Sequence, residues 1–413
     1  MRVLAGKAAE KRVQKLAARA SRLDAVEPQV RRIVADVRRR GDSALGKYAR
    51  KWDGLQAGQP LRVAPAEMRA AWKTASPNLR SALQQAAANI RRFCEWQKPA
   101  EWMRKNNGIS LGQVVRPLDS VGCYVPGGRY PLPSTLLMTV IPAQVAGVSE
   151  IRVVSPKPGR ETLAAAALLG VTEFYRVGGA HAIAALAYGT GSISHVDKIV
   201  GPGNLYVTAA KKLVAFDCSI DFLAGPTEVV VVAERGDAAF IAADLVAQAE
   251  HDPETLPVFI TSSRALAEKV LASAKEAAED NSIARQSLAA NGVALVAASH
   301  AQALEWANLI APEHITVARD DLAAVRSAGS VFVGEYSPQA VGDYASGPNH
   351  VLPTAGAARY RGGLSVLDFM KLITVQELSP AALRRIAPVV TRLAEAEGLA
   401  AHAESVRVRC AHA

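Results

Sequence analysis

The spacing of hydrophobic residues changes near residue 110 of the chain. Before that point the spacing is mainly that of helices: the stretch PNLRSALQQAAANIRRFCEWQ has apolar residues at helical intervals and no strand alternation. From about residue 111, short β-branched runs alternate with alanine-rich stretches, as in EIRVVSP followed by RETLAAAALLG. Because parallel strands must be joined by crossovers, this alternation predicts a parallel sheet with helices on its faces.

A second alternating set begins at EVVVVAE, residues 228–234, and contains the strand patterns LPVFITSS, VALVAAS, HITVA and SVFVG. After about residue 365 the pattern returns to helix. The sequence therefore predicts an α/β protein with two doubly wound, Rossmann-like units in tandem, preceded by N-terminal helices and followed by a C-terminal helical tail.

Two adjacent α/β units predict a ligand cleft between them, since open parallel sheets bind ligands at the carboxyl ends of their strands. Three glycine-rich turns fall at predicted strand ends: VPGGRYP (125–131), VGGAH (177–181) and VGPGN (200–204). Their backbone amides suit phosphate. None of the three is a GxGxxG fingerprint, and each alone is also typical of an ordinary tight turn.

Composition excludes several function classes. The chain has 413 residues and a formal net charge of +10, but its basic residues are interleaved with acidic ones and no nucleic-acid-binding motif is present, so we expect no nucleic-acid partner. The longest apolar tract, residues 131–148, is interrupted by Pro142 and Gln144 and is too short to span a bilayer. The four cysteines form no CxxC pair, which predicts neither a disulfide framework nor a thiolate zinc site and fits the cytoplasm.

A first candidate site is the stretch DLVAQAEHDP, residues 244–253. Gln248 and His251 are three residues apart and share one face of a predicted helix that Pro253 ends, so they could begin a metal site. The same pair could equally be solvated at a helix end, where the helix dipole favours a protonated histidine rather than the neutral form that a metal requires.

Two further segments near the C-terminus contain candidate ligands. The loop VGDYASGPNHVLPT, residues 341–354, holds Asp343, a candidate oxygen ligand, and His350, a candidate substrate contact. In EGLAAHAESVRVR, Glu397 and His402 are five residues apart on a predicted helix, a spacing that aligns them only loosely. Each segment alone is also compatible with an ordinary surface loop or helix.

The stretch APEHITV, residues 311–317, places Glu313 and His314 side by side at the start of a predicted strand. A histidine base beside a carboxylate suits proton abstraction from a hydroxyl group or a water molecule. Neighbours on an extended segment point to opposite faces, so an ordinary solvated turn is the alternative interpretation.

Taken together, these segments resemble the histidinol dehydrogenase family over nearly the whole chain. The motifs that carry the resemblance are VGCYVPGG, STLLMTVIPAQVAGV, VGGAHAIAALAYGT, DKIVGPGN, DFLAGPTEV, DLVAQAEHDP, APEH, GDYASGPNHVLPT and EGLAAHAESVRVR. The resemblance implies a zinc-dependent, NAD-linked four-electron oxidation of L-histidinol to L-histidine through the aldehyde. It also implies a homodimer whose subunits share their active sites.

The resemblance assigns roles to individual residues by motif match. Glu313 and His314 are implied as the acid–base pair. One zinc ion per subunit is implied to be bound by Gln248, His251, Asp343 and His402 of the partner subunit. The implied substrate contacts are Thr227, Gln248, His251, His314, Asp343, His350, Glu397 and His402. The implied NAD contacts are Tyr124, His181 and Asn204.

The resemblance also implies a division of the chain into four parts. Residues 1–22 form an N-terminal helical segment, and residues 23–120 together with 228–365 form a discontinuous α/β domain that carries most of the zinc and catalytic site. Residues 121–227 form an inserted Rossmann-like NAD-binding domain. Residues 366–413 form a helical tail that reaches the partner subunit.

The sequence departs from the family pattern at a few positions. His181 stands where the family usually has glutamine, and Thr227 replaces a frequent serine. Arg129, Arg359 and Arg361 suit anionic groups. They leave open an alternative function, a paralogue that oxidises another, anionic alcohol to its acid with the same zinc and NAD chemistry.

Overall fold

The computed structural model describes residues 1–19, 23–127 and 130–411 of the chain. The N-terminal region consists of a short strand, a series of helices and a β-hairpin. Its elements are β1 (Arg2–Ala5), α1 (Gly6–Ala17), α2 (Glu27–Arg40), α3 (Asp42–Trp52), α4 (Pro65–Thr74), α5 (Pro77–Gln97), β2 (Trp102–Asn106) and β3 (Ile109–Pro117). The sequence predicted mainly helix here, because β1 is only four residues long and every residue of β2 is exposed, so neither strand carries an apolar alternation.

The first α/β unit follows the hairpin and contains a five-stranded parallel sheet in the order β6-β5-β4-β7-β8. Its elements are β4 (Ser120–Tyr124), α6 (Pro133–Ala146), β5 (Glu150–Val154), α7 (Arg160–Leu168), β6 (Glu173–Tyr175), α8 (Gly179–Tyr188), β7 (Lys198–Val200), α9 (Leu205–Val214) and β8 (Ser219–Ile220). Successive residues of β5 face opposite sides: Val153 packs with α6 and α7, and Val154 packs with α8 and α9. Helices therefore cover both faces of this sheet.

The second unit contains a six-stranded parallel sheet in the order β1-β11-β10-β9-β12-β13, to which the N-terminal strand adds at one edge. Its other elements are β9 (Glu228–Val232), α10 (Ala238–Ala249), β10 (Leu256–Thr261), α11 (Arg264–Ala277), α12 (Ser282–Ala290), β11 (Val293–Val296), α13 (His300–Ile310), β12 (His314–Val317) and β13 (Ser330–Val333). Val230 packs with α1 and α13, whereas its neighbour Val231 packs with α10 and α11. This sheet too is covered on both faces.

The C-terminal region begins with a one-turn helix and ends in an extended arm. Its elements are α14 (Gln339–Tyr344), β14 (Met370–Leu378), α15 (Pro380–Ala396) and α16 (Ala400–Ala411). β14 pairs antiparallel with β3, which gives a three-stranded sheet in the order β14-β3-β2. The sequence predicted only helix after residue 365, so the strand β14 was missed. Its residues are mostly exposed and form no buried alternating face that the pattern could reveal.

The predicted class, an α/β protein with two doubly wound units and a C-terminal helical tail, is confirmed. Strands β4 to β8 lie within residues 120–220 and β9 to β13 within residues 228–333, so the two parallel sheets separate where the pattern changed. The finer division into domains stays a prediction. Among the described residues, no helix combines the length and the apolar character needed to cross a membrane.

Candidate active site

A cavity of about 580 Å³ lies where the two α/β units meet. The first unit lines it with residues that follow strands, such as Pro126 after β4 and Asn204 after β7. The second unit lines it with residues that precede or begin strands, such as Thr227 before β9 and His314 at the start of β12. The first sheet therefore faces the cavity with its carboxyl edge and the second with its amino edge. The expected ligand position at carboxyl ends of strands holds for the first sheet only.

The segment between α13 and β12 carries the predicted acid–base pair. Ala311 leaves α13 in the left-handed conformation, with a φ of 50°, and Pro312 cannot continue the helix. His314 begins β12, whereas Glu313 stands one position before it. Because Glu313 precedes the regular strand, the alternation rule does not separate the two side chains, and both line the same cavity.

Both members of the pair are buried and are oriented by the backbone of Glu228. The Glu228 N–H donates to Glu313 Oε2 at 3.0 Å, and His314 Nδ1 lies 3.2 Å from the Glu228 carbonyl oxygen. His314 Nδ1 is 3.7 Å from Glu313 Oε2, and its Nε2 is 3.5 Å from Asp343 Oδ1. Glu228 was absent from the sequence-based predictions, and no side-chain signal could have revealed it, since its contacts with the pair come from its main chain.

Burial and neighbouring charges shift the proton affinities of this pair. Desolvation raises the pKa of Glu313 to about 8, although His314 and the Glu228 N–H act in the opposite direction. Burial alone would lower the pKa of His314, but the carboxylates of Glu313 and Asp343 outweigh it and raise the pKa. The pair therefore retains a proton near neutral pH, as an acid–base couple requires.

Gln248 and Asp343 bring two predicted metal ligands together. Gln248 is 1% exposed and lies in the last turn of α10, and its Nε2 donates to Asp343 Oδ2 at 2.9 Å. Burial alone would raise the pKa of Asp343, yet the hydrogen bond and charge of His314 hold it below its usual value. Asp343 is therefore an anionic oxygen donor that stands beside the amide of Gln248.

His251 lines the same cavity but not from within the helix that the sequence predicted for it. α10 ends at Ala249, and His251 lies in the turn that follows, where its N–H donates to the Gln248 carbonyl at 3.2 Å. Its side chain is close enough for its charge to lower the pKa of Asp343. The prediction of one shared helical face was wrong, and the turn brings His251 to the cavity instead.

His350 connects the two units across the cavity. Its Nδ1 lies 2.7 Å from the Asp343 carbonyl oxygen, and its Nε2 lies 3.3 Å from the hydroxyl of Thr135, near the start of α6. Burial lowers the pKa of His350, so the ring is neutral near pH 7. Thr135 was not predicted; its position close to the N-terminus of a helix after a glycine-rich turn was the signal that could have indicated it.

Asn204 is the predicted NAD contact that reaches the cavity. Its side chain caps α9 by accepting the N–H groups of Tyr206 and Val207 at 3.0 and 3.2 Å. The preceding turn requires Gly201, which has a φ of 113° and a Cβ position only 2.1 Å from the Tyr124 carbonyl oxygen. The carboxylate of Asp221 also holds this turn through the Gly201 N–H, at 2.8 Å.

Tyr124 and His181, the other two predicted NAD contacts, are buried behind the cavity wall, with exposed fractions of 3% and 1%. The Tyr124 hydroxyl accepts the Gly179 N–H at 3.1 Å. His181 Nε2 lies 2.7 Å from Asp53 Oδ2, while its Nδ1 is buried without a hydrogen-bond partner. In this arrangement both side chains support the turn between β6 and α8, and their direct contact with NAD stays a prediction.

Glu397 and His402 are the predicted site residues that the structure leaves away from the cavity. Both are exposed. Gly398, with a φ of 75°, separates α15 from α16, so the single helix predicted for this pair is two helices. Within residues 1–19, 23–127 and 130–411, no three His, Cys, Asp or Glu side chains are arranged to hold a metal ion. Gln248, His251 and Asp343 form an incomplete N and O donor set that suits zinc once a further ligand is added.

Two of the arginines that suggested an anionic substrate bind elsewhere in the protein. Arg359 donates to the carbonyl oxygens of Ala17 at 2.9 Å and Leu309 at 2.5 Å. The guanidinium carbon of Arg361 lies 4.2 Å from the centroid of the Phe222 ring. Arg129 lies outside the described residues. No described lysine or arginine lines the cavity, whereas Asp252, Glu254, Glu313 and Asp343 do.

Comparisons with known proteins indicate the family to which the chain belongs. A sequence profile described as histidinol dehydrogenase matches residues 16–410. A histidinol dehydrogenase from Haloarcula marismortui is 49% identical over 94% of each chain, and one from Methanothermobacter thermautotrophicus is 46% identical over 97% of each. The crystal structure of histidinol dehydrogenase from Elizabethkingia anophelis superposes with a TM-score of 0.93 at 36% identity, and the match covers 99% of this chain and 98% of that one. The chain belongs to the histidinol dehydrogenase family.

Proposed function

We propose that this protein oxidises L-histidinol to L-histidine through the aldehyde, with transfer of two hydrides to two NAD molecules. The observation that carries the proposal is the single buried group in which Gln248 and Asp343, two candidate metal ligands, adjoin the acid–base pair Glu313 and His314. A four-electron oxidation of an alcohol needs one base for a hydroxyl group and one for a water molecule, and this group offers both.

The amide oxygen of Gln248, the imidazole of His251 and the carboxylate of Asp343 fit zinc, and His402 of the partner subunit would complete the set. When bound, zinc supplies a Lewis acid that orients the amino and imidazole nitrogens of the substrate, and NAD supplies the hydride acceptor. Asn204, on the carboxyl edge of the first sheet, lies on the side of the cavity proposed for the nicotinamide cofactor.

His314 is proposed as the base of the first oxidation. Its Nδ1 faces the Glu228 carbonyl at 3.2 Å and donates to it, so once Nε2 has given up the proton that the raised pKa favours, Nε2 is the nitrogen left to act as base. Nε2 takes the hydroxyl proton while the alcohol carbon loses hydride, and the product is the aldehyde.

Glu313 is proposed as the base of the second oxidation. Its carboxylate takes a proton from a water molecule that adds to the aldehyde carbon, and loss of the second hydride from the resulting diol gives the acid. Burial raises the pKa of Glu313 to about 8, so its carboxylate, once ionised, is a stronger base than that of an exposed glutamate.

We further propose a homodimer in which the C-terminal arm of each subunit reaches the active site of the other. The arm carries His402 and Glu397 away from the cavity of its own subunit and exposes large apolar side chains. These include Leu372, Ile373, Val389, Leu393 and Leu399, each at least 43% exposed. Such a surface is typical of an interface between subunits. The cytoplasmic location expected from the cysteine pattern stays a prediction.

A cationic amino alcohol fits the cavity better than an anionic alcohol does. Four carboxylates line it, and no described basic side chain other than histidine offsets them. Even with a zinc ion of charge +2 in place, the carboxylates of Asp252, Glu254 and Asp343 would leave this lining unfavourable to an anionic substrate. The alternative of a paralogue with an anionic substrate therefore loses the support that Arg359 and Arg361 gave it.

NADH yield tests the proposal. The zinc-loaded enzyme is given a limiting amount of L-histidinol with excess NAD, and the absorbance of NADH is followed to completion. We expect two NADH per L-histidinol, one per L-histidinal, and none from a sulfonated diol of similar size. Turnover of the sulfonated diol without turnover of L-histidinol would reject the proposal and support the paralogue.

A further inference from the structure

Arg19, at the C-terminal side of α1, joins three segments that are far apart in sequence. Its Nη1 donates to the carbonyl oxygens of Leu16 at 2.7 Å and of Ile310 at 2.6 Å. Its Nη2 reaches the carbonyl of Ala311 at 3.3 Å, and its Nε lies 2.5 Å from Glu228 Oε1. The Arg19 side chain is 15% exposed and that of Glu228 is 5% exposed, so the two form a largely buried ion pair.

The contacts with Ile310 and Ala311 stabilise the chain immediately before the acid–base pair. Ile310 ends α13, and the last carbonyls of a helix have no partner within the helix. A guanidinium group at this end supplies donors and a favourable charge. It also holds Ala311 in a left-handed conformation that alanine rarely adopts, and this residue sets the direction in which Glu313 follows.

Glu228 transmits this support to both catalytic groups. Its carboxylate is held by Arg19 and by the Ala355 N–H at 2.9 Å. Its own N–H holds Glu313 Oε2 at 3.0 Å, and its carbonyl lies 3.2 Å from His314 Nδ1. A guanidinium fork fixes two carboxylate oxygens at once, so the ion pair adds to the sheet pairing of β9 in restraining the peptide groups on either side of Glu228.

We infer that Arg19 and Glu228 are positioning residues of the reaction: Arg19 holds Glu228 and the segment before Glu313, and Glu228 aims the Glu313 carboxylate and the His314 imidazole at the substrate. The inference rests on the proposed roles of Glu313 and His314. The metal-ligand candidates Gln248, His251 and Asp343 are on other segments, although Asp343 Oδ1 lies 3.5 Å from His314 Nε2, so loss of the ion pair should lower turnover far more than it lowers zinc binding.

Arg19→Met is the primary test, with Arg12→Met as its matched control. Arg12 is on the same helix and donates to Asn291 O at 3.2 Å, away from the cavity. For the zinc-loaded enzyme with L-histidinol, we expect Arg19→Met to lower kcat by about 10- to 100-fold, as misplaced catalytic groups do. KM and bound zinc should stay within twofold of wild type, and Arg12→Met should match wild type throughout.

Two further variants separate positioning from folding. Arg19→Lys keeps the charge but not the fork, so we expect a kcat between those of wild type and Arg19→Met. The double variant Arg19→Met with Glu228→Gln removes both buried charges, which protects the fold from an unpaired carboxylate. We expect it to fold and bind zinc while its kcat stays low with both L-histidinol and L-histidinal.

A double variant with wild-type kcat would overturn the inference, as would variants in which turnover falls only in proportion to lost zinc. If the wild-type enzyme does not oxidise L-histidinol, the proposed function fails first. The same variants measured on the alcohol that it does oxidise then decide the role of Arg19 separately.

Discussion

Gly342 allows α14, which carries Asp343, to lie directly against β13. A Cβ at this position would lie 2.7 Å from Phe332 Cζ and 2.8 Å from Cε1, whereas ordinary contact begins at 3.4 Å. The Phe332 ring is 8% exposed and its centroid is 6.0 Å from that of His314, so it has little room to retreat. Gly342→Ala should therefore move either α14 or the ring by roughly 0.7 Å, which displaces Asp343 from Gln248 or presses the ring on His314.

The expected costs are about 1–3 kcal/mol of stability from over-packing and a loss of zinc affinity of about 10- to 100-fold from a displaced ligand. Competition with a chelator measures the zinc affinity, and NADH production measures kcat. Gly362→Ala is the matched control, because a Cβ there meets nothing within 4 Å and its φ is not left-handed. Adding Phe332→Leu to Gly342→Ala should restore part of the zinc affinity. If Gly342→Ala bound zinc and turned over like the control, the close approach would not constrain Asp343 and the reasoning would be refuted.

Three other predictions concern the acid–base pair, the arm and stability. Glu313→Gln should keep its zinc and its first hydride transfer but lower the rate of aldehyde oxidation by about 10²- to 10⁴-fold. Single-turnover assays would detect this as one NADH per site. Loss of zinc would contradict the role of Glu313 as a base. His402→Asn should lose zinc affinity, and mixed dimers with Glu313→Gln should recover activity at one site of the two; no recovery would argue against a ligand shared between subunits. The hydrogen bond to Asp321 raises the pKa of His300, against an opposing effect of burial. His300→Gln should therefore lower the melting temperature more at pH 5.5 than at pH 9. The stability that protonated His300 contributes is full below its pKa in the unfolded chain, about 6.5, and is lost as the pH rises through its higher pKa in the folded protein. An equal loss of melting temperature at both pH values would contradict this assignment.

The sequence predicted the elements that are buried and missed those that are exposed. The strands of both parallel sheets are β-branched and covered on two faces, so their apolar runs were visible in the pattern. β2 and β14 are almost wholly exposed, and what stabilises them is pairing with β3 rather than burial. β1 is held at the edge of a sheet by a strand 291 residues further along the chain, as the pair Arg2 and Val293 shows, and a four-residue segment cannot indicate so distant a partner.

For the candidate site, the local chemistry was predictable and the geometry was not. Gln248, Glu313 and Asp343 come together because β12 lies beside β9 rather than beside the strand that precedes it in sequence. The motif resemblance indicated these residues, but periodicity alone could not distinguish a functional role for each of them from an ordinary structural one. Arg19 could not be singled out at all, because it is one of 48 lysine and arginine residues and its importance comes from carbonyl groups that only the folded chain presents.

The opposite edges of the two sheets give the cavity two electrostatic halves. On the first sheet's carboxyl edge, the N-termini of α6 and α9 approach the cavity through Thr135 and Asn204, and helix N-termini favour anions such as the phosphates of a dinucleotide. On the second sheet's amino edge, α10 and α13 end close to the cavity, and helix C-termini favour cations.

The helix dipole of α10, which favours a protonated His251 over the neutral form that a metal requires, therefore acts on the metal ion as well. A divalent ion gains more from the negative end of α10 than a proton on His251 does, and a protonated amino alcohol gains from the same field. A rule that looks for ligands after the carboxyl ends of strands finds only the half of such a site that binds anions. The residues that precede β9 and β12 belong to the other half, and for this reason they had to be recognised by their motifs.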